Sequence, residues 1–462
     1  MKGTISRVLK CLKRLKRPKC SKHPSAPDVV ARDANSTLRV VSPILKAYHN
    51  YSELEKLPPE LRRHILSFLD LQSLASLIRA SPTMLQQYLE DRRYVLCASL
   101  DITLGILTPD AQAVLKSNSY TVSCTRDQIA QFLESYRLQS PSQPLYKQLD
   151  EAEALQMAKF HSAIVCPLLR QFTNWALTNL AAKTGCPPND IILSAVEKTR
   201  IFRSLYRFQL CCNLFGHGAY GRPWDSSPYR PEWEHFQILR MFLCLFEPWE
   251  IEEIVCVNSF TEDIYNRVLD AIEWDLSPEN PRFDDCGRPP TPEGAFELDD
   301  SFVRMMLLSG TTSRGLGLLH KIIFQIKDHE HLVSTMQEQM KTGEFFDESN
   351  LSQACQRCRR DEEPSERDLK QERLDPLLFV GDIESQPPLA WTLIWGDTYS
   401  NIYGHYISDE FRKWAYVMWD KTRLEREGAT DELLREWEAR WGGQDPRDFM
   451  RPMKWKGHQH EV

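Results

Sequence analysis

The sequence predicts a mostly α-helical protein, with a short three-helix unit near the N-terminus followed by a large irregular helical region with long loops. Three observations carry this. Apolar residues recur at helical spacing over much of the 462-residue chain. Clean alternating strands are scarce. Prolines and capping residues divide residues 54–96 into three short pieces, each with its own apolar face. The composition, 42% hydrophobic and 26% charged, can bury a core and excludes a wholly disordered chain. Unbroken apolar runs such as Met241 to Phe246 are far shorter than the ~20 residues of a bilayer span, so no membrane partner is expected.

Residues 1–50 read as a disordered basic tail. Residues 1–23 carry nine Lys/Arg and no acid, and Lys13-Arg14-Leu15-Lys16-Arg17-Pro18-Lys19 is its densest part. An import signal or electrostatic handle is one reading. Ile5, Val8, Leu9, Leu12 and Leu15 sit at helical spacing, so a basic amphipathic targeting stretch is another. The net charge is −7, and removing those nine charges leaves −16 on the rest. A body that acidic repels nucleic acid. The 13 cysteines are odd in number and scattered, and no apolar leader opens the chain. Reduced thiols are expected, and with them a place in the cytoplasm and/or nucleus.

The first helix of the 54–96 unit opens at Leu57-Pro58-Pro59-Glu60. Pro59 suits a first turn, where its missing N–H is not needed, and Glu60 suits the positive end of the dipole. Leu61, Ile65, Phe68 and Leu69 then share a face. Asp70 can cap a second helix whose face is Leu71, Leu74, Ala75 and Ile78, with Leu77 beside it. Ser81-Pro82 can cap and start a third, facing inward through Leu85, Tyr88 and Leu89. A unit this small is marginal alone, and it has more leucines than its core needs. Leu57, Pro58, Leu61 and Leu74 are therefore candidates for a surface that another chain covers.

This stretch resembles the F-box, the module that docks substrate receptors onto the Skp-type adaptor of cullin-RING ubiquitin ligases. Leu57-Pro58-x-Glu60-Leu61, Ile65-Leu66-x-x-Leu69 and the Leu71/Leu74/Leu77 helix match the family pattern. Where the family usually has a later Trp, this chain has Ala80-Ser81-Pro82-Thr83-Met84, a departure similar to fungal F-box-like proteins. The resemblance covers about a tenth of the chain. It implies adaptor docking through Leu57, Pro58, Leu61, Ile65, Leu69, Leu71, Leu74 and Leu77. It also implies a non-enzymatic receptor that brings an unidentified target protein to the ligase, in which other subunits transfer ubiquitin. The alternative is a helical interaction scaffold that uses the F-box fold without ubiquitin. The segments Glu197–Phe202, Phe246–Glu250 and Pro388–Thr392 are also similar to stretches of filamentous-fungal proteins with such an F-box, which implies no activity.

The region 100–445 reads as the helical body that holds a substrate or partner. Val165, Leu168, Leu169, Phe172, Trp175 and Ala176 form one stripe, with Pro167 marking a start or kink. Ile201, Phe202, Leu205, Phe208 and Cys212 form a second; Phe236, Leu239, Phe242, Leu243 and Phe246 form a third that Pro248 should end. Residues 276–300 and 338–387 read as exposed loops, and 446–462 as a C-terminal tail. Phe411, Trp414, Ala415 and Met418 are spaced as one helix face, so the aromatic-rich C-terminal part is expected to be core.

No cofactor, metal or catalytic constellation is expected. Gly216-His217-Gly218-Ala219-Tyr220-Gly221 fits G-x-G-x-x-G but follows a helical stripe, where a dinucleotide fingerprint follows a strand. Gly310-Thr311-Thr312-Ser313-Arg314-Gly315 lacks the Lys and Ser/Thr of a P-loop and reads as a turn before a helix at Leu318–Gln325. Cys355-x-x-Cys358 is half a zinc site with no second pair. No G-x-S-x-G or H-E-x-x-H occurs.

Overall fold

The computed structural model describes residues 52–118, 125–138, 143–185, 192–216, 238, 241–283, 295–343 and 364–450, residues 449 and 450 without their side chains. The described chain is mostly helical, as the spacing of its apolar residues predicts. Its β structure, among the described residues, is an antiparallel bridge between Pro376 and Thr398. The basic tail, Cys355-x-x-Cys358, residues 217–221 of the glycine motif and residues 451–462 lie outside the described residues. Of the described residues, those up to Gly105 together with 143–158 form one compact unit, and the remainder form a second.

The first unit contains α1 (Pro59–Ser67), α2 (Leu71–Ala80), α3 (Pro82–Glu90), α4 (Arg92–Leu104), α7 (Leu145–Gln148) and most of α8 (Glu151–Phe160). The local signals act as expected. Pro59 stands in the first turn of α1; Asp70 accepts from the Ser73 N–H at 2.7 Å, and the Ser81 hydroxyl accepts from the Met84 N–H at 3.2 Å. Helices α1 and α2 each pack on α3, all three pack on α4, and α7 joins α4 from later in the chain. The unit therefore extends beyond residue 96, taking in the rest of α4 and the segment from 143. Asp101 fixes that segment by accepting from the Leu145 N–H at 3.2 Å, and Arg93 donates to the carbonyls of Leu149 and Tyr146 at 2.8 and 2.7 Å.

The second unit is organised by long helices. These are α5 (Thr108–Ser117), α6 (Arg126–Arg137), α9 (Cys166–Thr184), α10 (Ala195–Phe215), α11 (Pro248–Leu276), α12 (Ser301–Thr312), α13 (Leu316–Phe324) and α14 (His329–Gln339). Helix α10 packs on α5 and α11, and α11 packs on α12 and α14. Ser194 and Glu197 cap α10 reciprocally, at 3.2 and 2.9 Å. Every residue of the Ile201–Cys212 stripe is buried. Pro167 lacks the N–H that an α-helix would bond four residues back, and a π turn at His161–Val165 absorbs the defect ahead of α9. Residues 243–245 form a 3-10 turn where the third stripe predicts a continuing helix. Pro248 opens α11, where its fixed φ suits the first turn.

Other expectations are corrected. Gly310 lies inside α12, and the turn falls at residues 313–315. The Gly310 Cα lies under the 341–343 backbone, where an added Cβ would stand 2.1 Å from the Lys341 carbonyl oxygen. The stretches expected as exposed loops bury Phe283, Phe296, Leu298, Lys341 and Thr342, and residues 366–372 form α15 (Glu366–Glu372). The C-terminal part adds α16 (Leu389–Ile394), α17 (Asp409–Lys413), α18 (Lys421–Arg426) and α19 (Ala429–Trp441). Phe411, Trp414, Ala415 and Met418 are all fully buried. They do not share one helix, because Ala415 takes a left-handed conformation (φ 54°) between α17 and a 3-10 turn at Tyr416–Met418.

One stretch among the described residues, 92–117, is long and apolar enough by composition to cross a membrane; half of its most apolar window is buried inside the protein. It runs as α4, a 3-10 turn at Gly105–Leu107 and α5.

Candidate functional site

The docking residues expected from the sequence divide into two groups. Leu71 and Leu74 are buried, at 9% and 3% exposure, and belong to the core of the first unit with Leu66, Met84, Tyr88, Val95 and Leu100. They are not available to a partner. Leu57, Ile65, Leu69 and Leu77 are half-buried, Pro58 is exposed, and Leu61 is 49% exposed. The inward faces also differ from expectation. Leu66 and Ser67 are the buried side chains of α1, while Phe68 is 66% exposed and stacks edge-on with His64. On α3 the buried positions are Met84, Gln87 and Tyr88, and Leu89 is exposed. The first unit thus presents apolar surface on and around α1, with Phe68 added to the docking residues expected from the sequence and Leu71 and Leu74 removed from them.

A polar core fixes the approach to that surface. The buried Gln87 carbonyl oxygen accepts from Arg62 Nε and Nη2 at 3.4 and 3.3 Å, and its amide donates to Asp91 at 2.9 Å. Arg62 also donates to the Glu55 carbonyl at 3.1 Å. The Glu55 carboxylate accepts from the Ser81 hydroxyl and, at 3.0 Å, from the Ser52 N–H. The Ser52–Leu57 turn is thereby tied to the start of α3, which holds Leu57 and Pro58 at the head of α1. Leu71 N–H donates to Thr103 Oγ1 at 2.9 Å, pinning the start of α2 to α4. Burial pushes the Cys97 thiol up to about 11, so it stays protonated at neutral pH.

The second unit holds a buried ionic network that the sequence reading missed. On α10, Arg203 meets Glu253 at 3.3 Å, and Arg207 meets Glu250 at 2.9 Å and Asp110 of α5 at 3.3 Å. Tyr136 donates to Asp110. Burial alone would raise the Glu250 carboxyl, but Arg207 and Arg203 beside it hold it down at about 2. Burial raises Glu253, with Arg203 opposing it. Two further pairs join remote segments. Arg412 grips Glu252 through Nε and Nη2 at 2.9 and 3.0 Å, and Arg423 grips Glu197 at 2.6 and 2.8 Å. One sequence signal was present: Glu197, Arg200, Arg203 and Arg207 interrupt an otherwise apolar helix, and Glu250, Glu252 and Glu253 interrupt another. Charges set within a buried stripe need partners.

Among the described residues, no three His, Cys, Asp or Glu side chains gather closely enough to hold a metal ion. Compared with known proteins, the chain matches no family model, no curated protein and no solved structure.

Proposed function

We propose that the first unit is an F-box-like docking module, through which this chain joins a Skp-type adaptor and the cullin ligase core. The second unit then holds the target protein, in the cytoplasm or nucleus. The chain performs no chemistry of its own in this reading. It raises the local concentration of target around the ligase's catalytic subunits, converting a bimolecular encounter into a nearly intramolecular one. The observation that carries the reading is the apolar surface on and around α1. Leu61 and Phe68 are exposed, and Leu57, Ile65, Leu69 and Leu77 are half-buried, on a unit whose core already holds Leu66, Leu71 and Leu74. Apolar side chains gathered at the surface of a small unit mark an interaction site.

Leu61→Asp tests this. The side chain is half exposed, so the substitution should leave the thermal unfolding midpoint within about 1–2 °C. At a docking face it should weaken adaptor binding at least about 100-fold, because the partner would cover an unpaired carboxylate. A folded Leu61→Asp protein that binds purified adaptor like wild type would refute the docking face.

A further inference from the structure

A cavity of about 490 Å³ opens in the second unit beside the ionic network, within the ~300–1,000 Å³ of small-ligand sites. Part of its lining is apolar: Ile106, Pro109, Leu245 and Phe246. Its polar lining includes Arg137, Arg203 and Arg207 together with Asp110 and Glu384; Arg207 meets the Asp110 carboxylate at 3.3 Å, and Arg203 Nη1 donates to the Glu384 backbone carbonyl at 2.8 Å. Glu250 and Glu253, which pair with Arg207 and Arg203, are not part of the lining. The cavity therefore meets the arginine rather than the carboxylate ends of those two pairs. Asp110 already accepts from Tyr136 and Arg207 through the same oxygen.

Two of the arginines keep donors in reserve. Arg207 commits Nε to Asp110 and Nη1 to Glu250, which leaves Nη2, and its guanidinium lies 4.2 Å over the Phe246 ring. Arg203 is only 8% exposed, and its buried Nε has no hydrogen-bond partner. Planar guanidinium groups suit a carboxylate, and the apolar lining suits a hydrocarbon body.

We propose that this cavity binds a carboxylate carried on an apolar, preferably aromatic, body, supplied by a free organic acid or by the C-terminal residue of a peptide. The proposal stands apart from adaptor docking and survives if that reading fails. The probes are phenylacetate and its neutral isostere phenylacetamide, titrated calorimetrically into the full chain, with Gly-Gly-Phe and its C-terminal amide as the peptide arm. Each acid should bind at least tenfold more tightly than its amide. The tighter of the two acids identifies the source. Arg207→Gln should weaken the acids at least tenfold. Arg137→Gln, an exposed side chain paired with Glu134 outside the buried network, should weaken them about threefold and leave the fold intact. Acids and amides binding alike, wild-type affinity in folded Arg137→Gln, or no acid binding at millimolar concentration would each overturn the site.

Discussion

Trp414→Ala separates a structural aromatic cluster from a recognition platform. Trp414 is fully buried, with Phe411 and Tyr416 edge-on to it at ring separations of 6.2 Å. A buried Trp removes ~150–250 Å² from water, which at ~25 cal/mol/Å² is about 4–6 kcal/mol before local collapse. Measured truncations of core Trp cost ~3–5 kcal/mol. The indole N–H has no partner, so its removal breaks no hydrogen bond there. The bond from Trp419 Nε1 to the Trp414 backbone carbonyl, 2.7 Å, does not depend on the side chain. The expected loss is therefore apolar and cavity-derived, about 4 kcal/mol, and Trp414→Phe should recover part of it. Urea unfolding of the full chain measures both variants. An unchanged midpoint in Trp414→Ala, together with loss of a partner that wild type captures, would refute the core assignment and make this face the recognition surface.

Four further substitutions probe the same structure. Gly310→Ala would normally favour a helix by ~1 kcal/mol, but its Cβ would strike the Lys341 carbonyl, so thermal denaturation should show a loss of ~1–3 kcal/mol or more. Burial, helped by Lys198, holds His161 down at about 4, and Tyr206 hydroxyl meets its Nδ1 at 2.9 Å. A depressed histidine stabilises above its unfolded pKa of 6.5 and loses that stability as pH falls toward the folded value, so wild type should lose about 2 kcal/mol between pH 7 and 5 that His161→Gln does not. Glu252→Ala removes the buried carboxylate that Arg412 grips, leaving that guanidinium with Asp409 at 2.8 Å and the Gly404 carbonyl, and should cost about 3 kcal/mol by urea titration, while adding Arg412→Leu should restore part of the loss.

What the sequence made legible was local. The Pro59 helix start, the Asp70 and Ser81 caps and the Ile201–Cys212 stripe depend on neighbours within a few turns, and they stand where their spacing puts them. Leu71 and Leu74 lie on the apolar face that the spacing of α2 predicts, but the resemblance also implied them as docking residues; packing on α3 and α4 buries them instead. Phe68 failed in the opposite direction: its spacing matches the apolar face of α1, yet the face that turns inward is centred on Leu66. Which charges of the ionic network pair with which was not legible, for a related reason. Arg423 and Glu197 are 226 residues apart, and Arg412 and Glu252 are 160 apart, so no window of sequence holds both partners. Ala415 carried no signal at all, because alanine in a left-handed conformation looks like alanine in a helix.

The central claim is that this chain docks into a cullin-RING ligase through the surface around α1. Its most direct measurement is affinity purification of the full chain from its native cell, with and without a proteasome inhibitor, beside Leu61→Asp expressed to the same level. The account predicts a Skp-type adaptor and a cullin with the wild-type chain, and neither with Leu61→Asp. Absence of both from the wild-type chain, or their retention with folded Leu61→Asp, would contradict it.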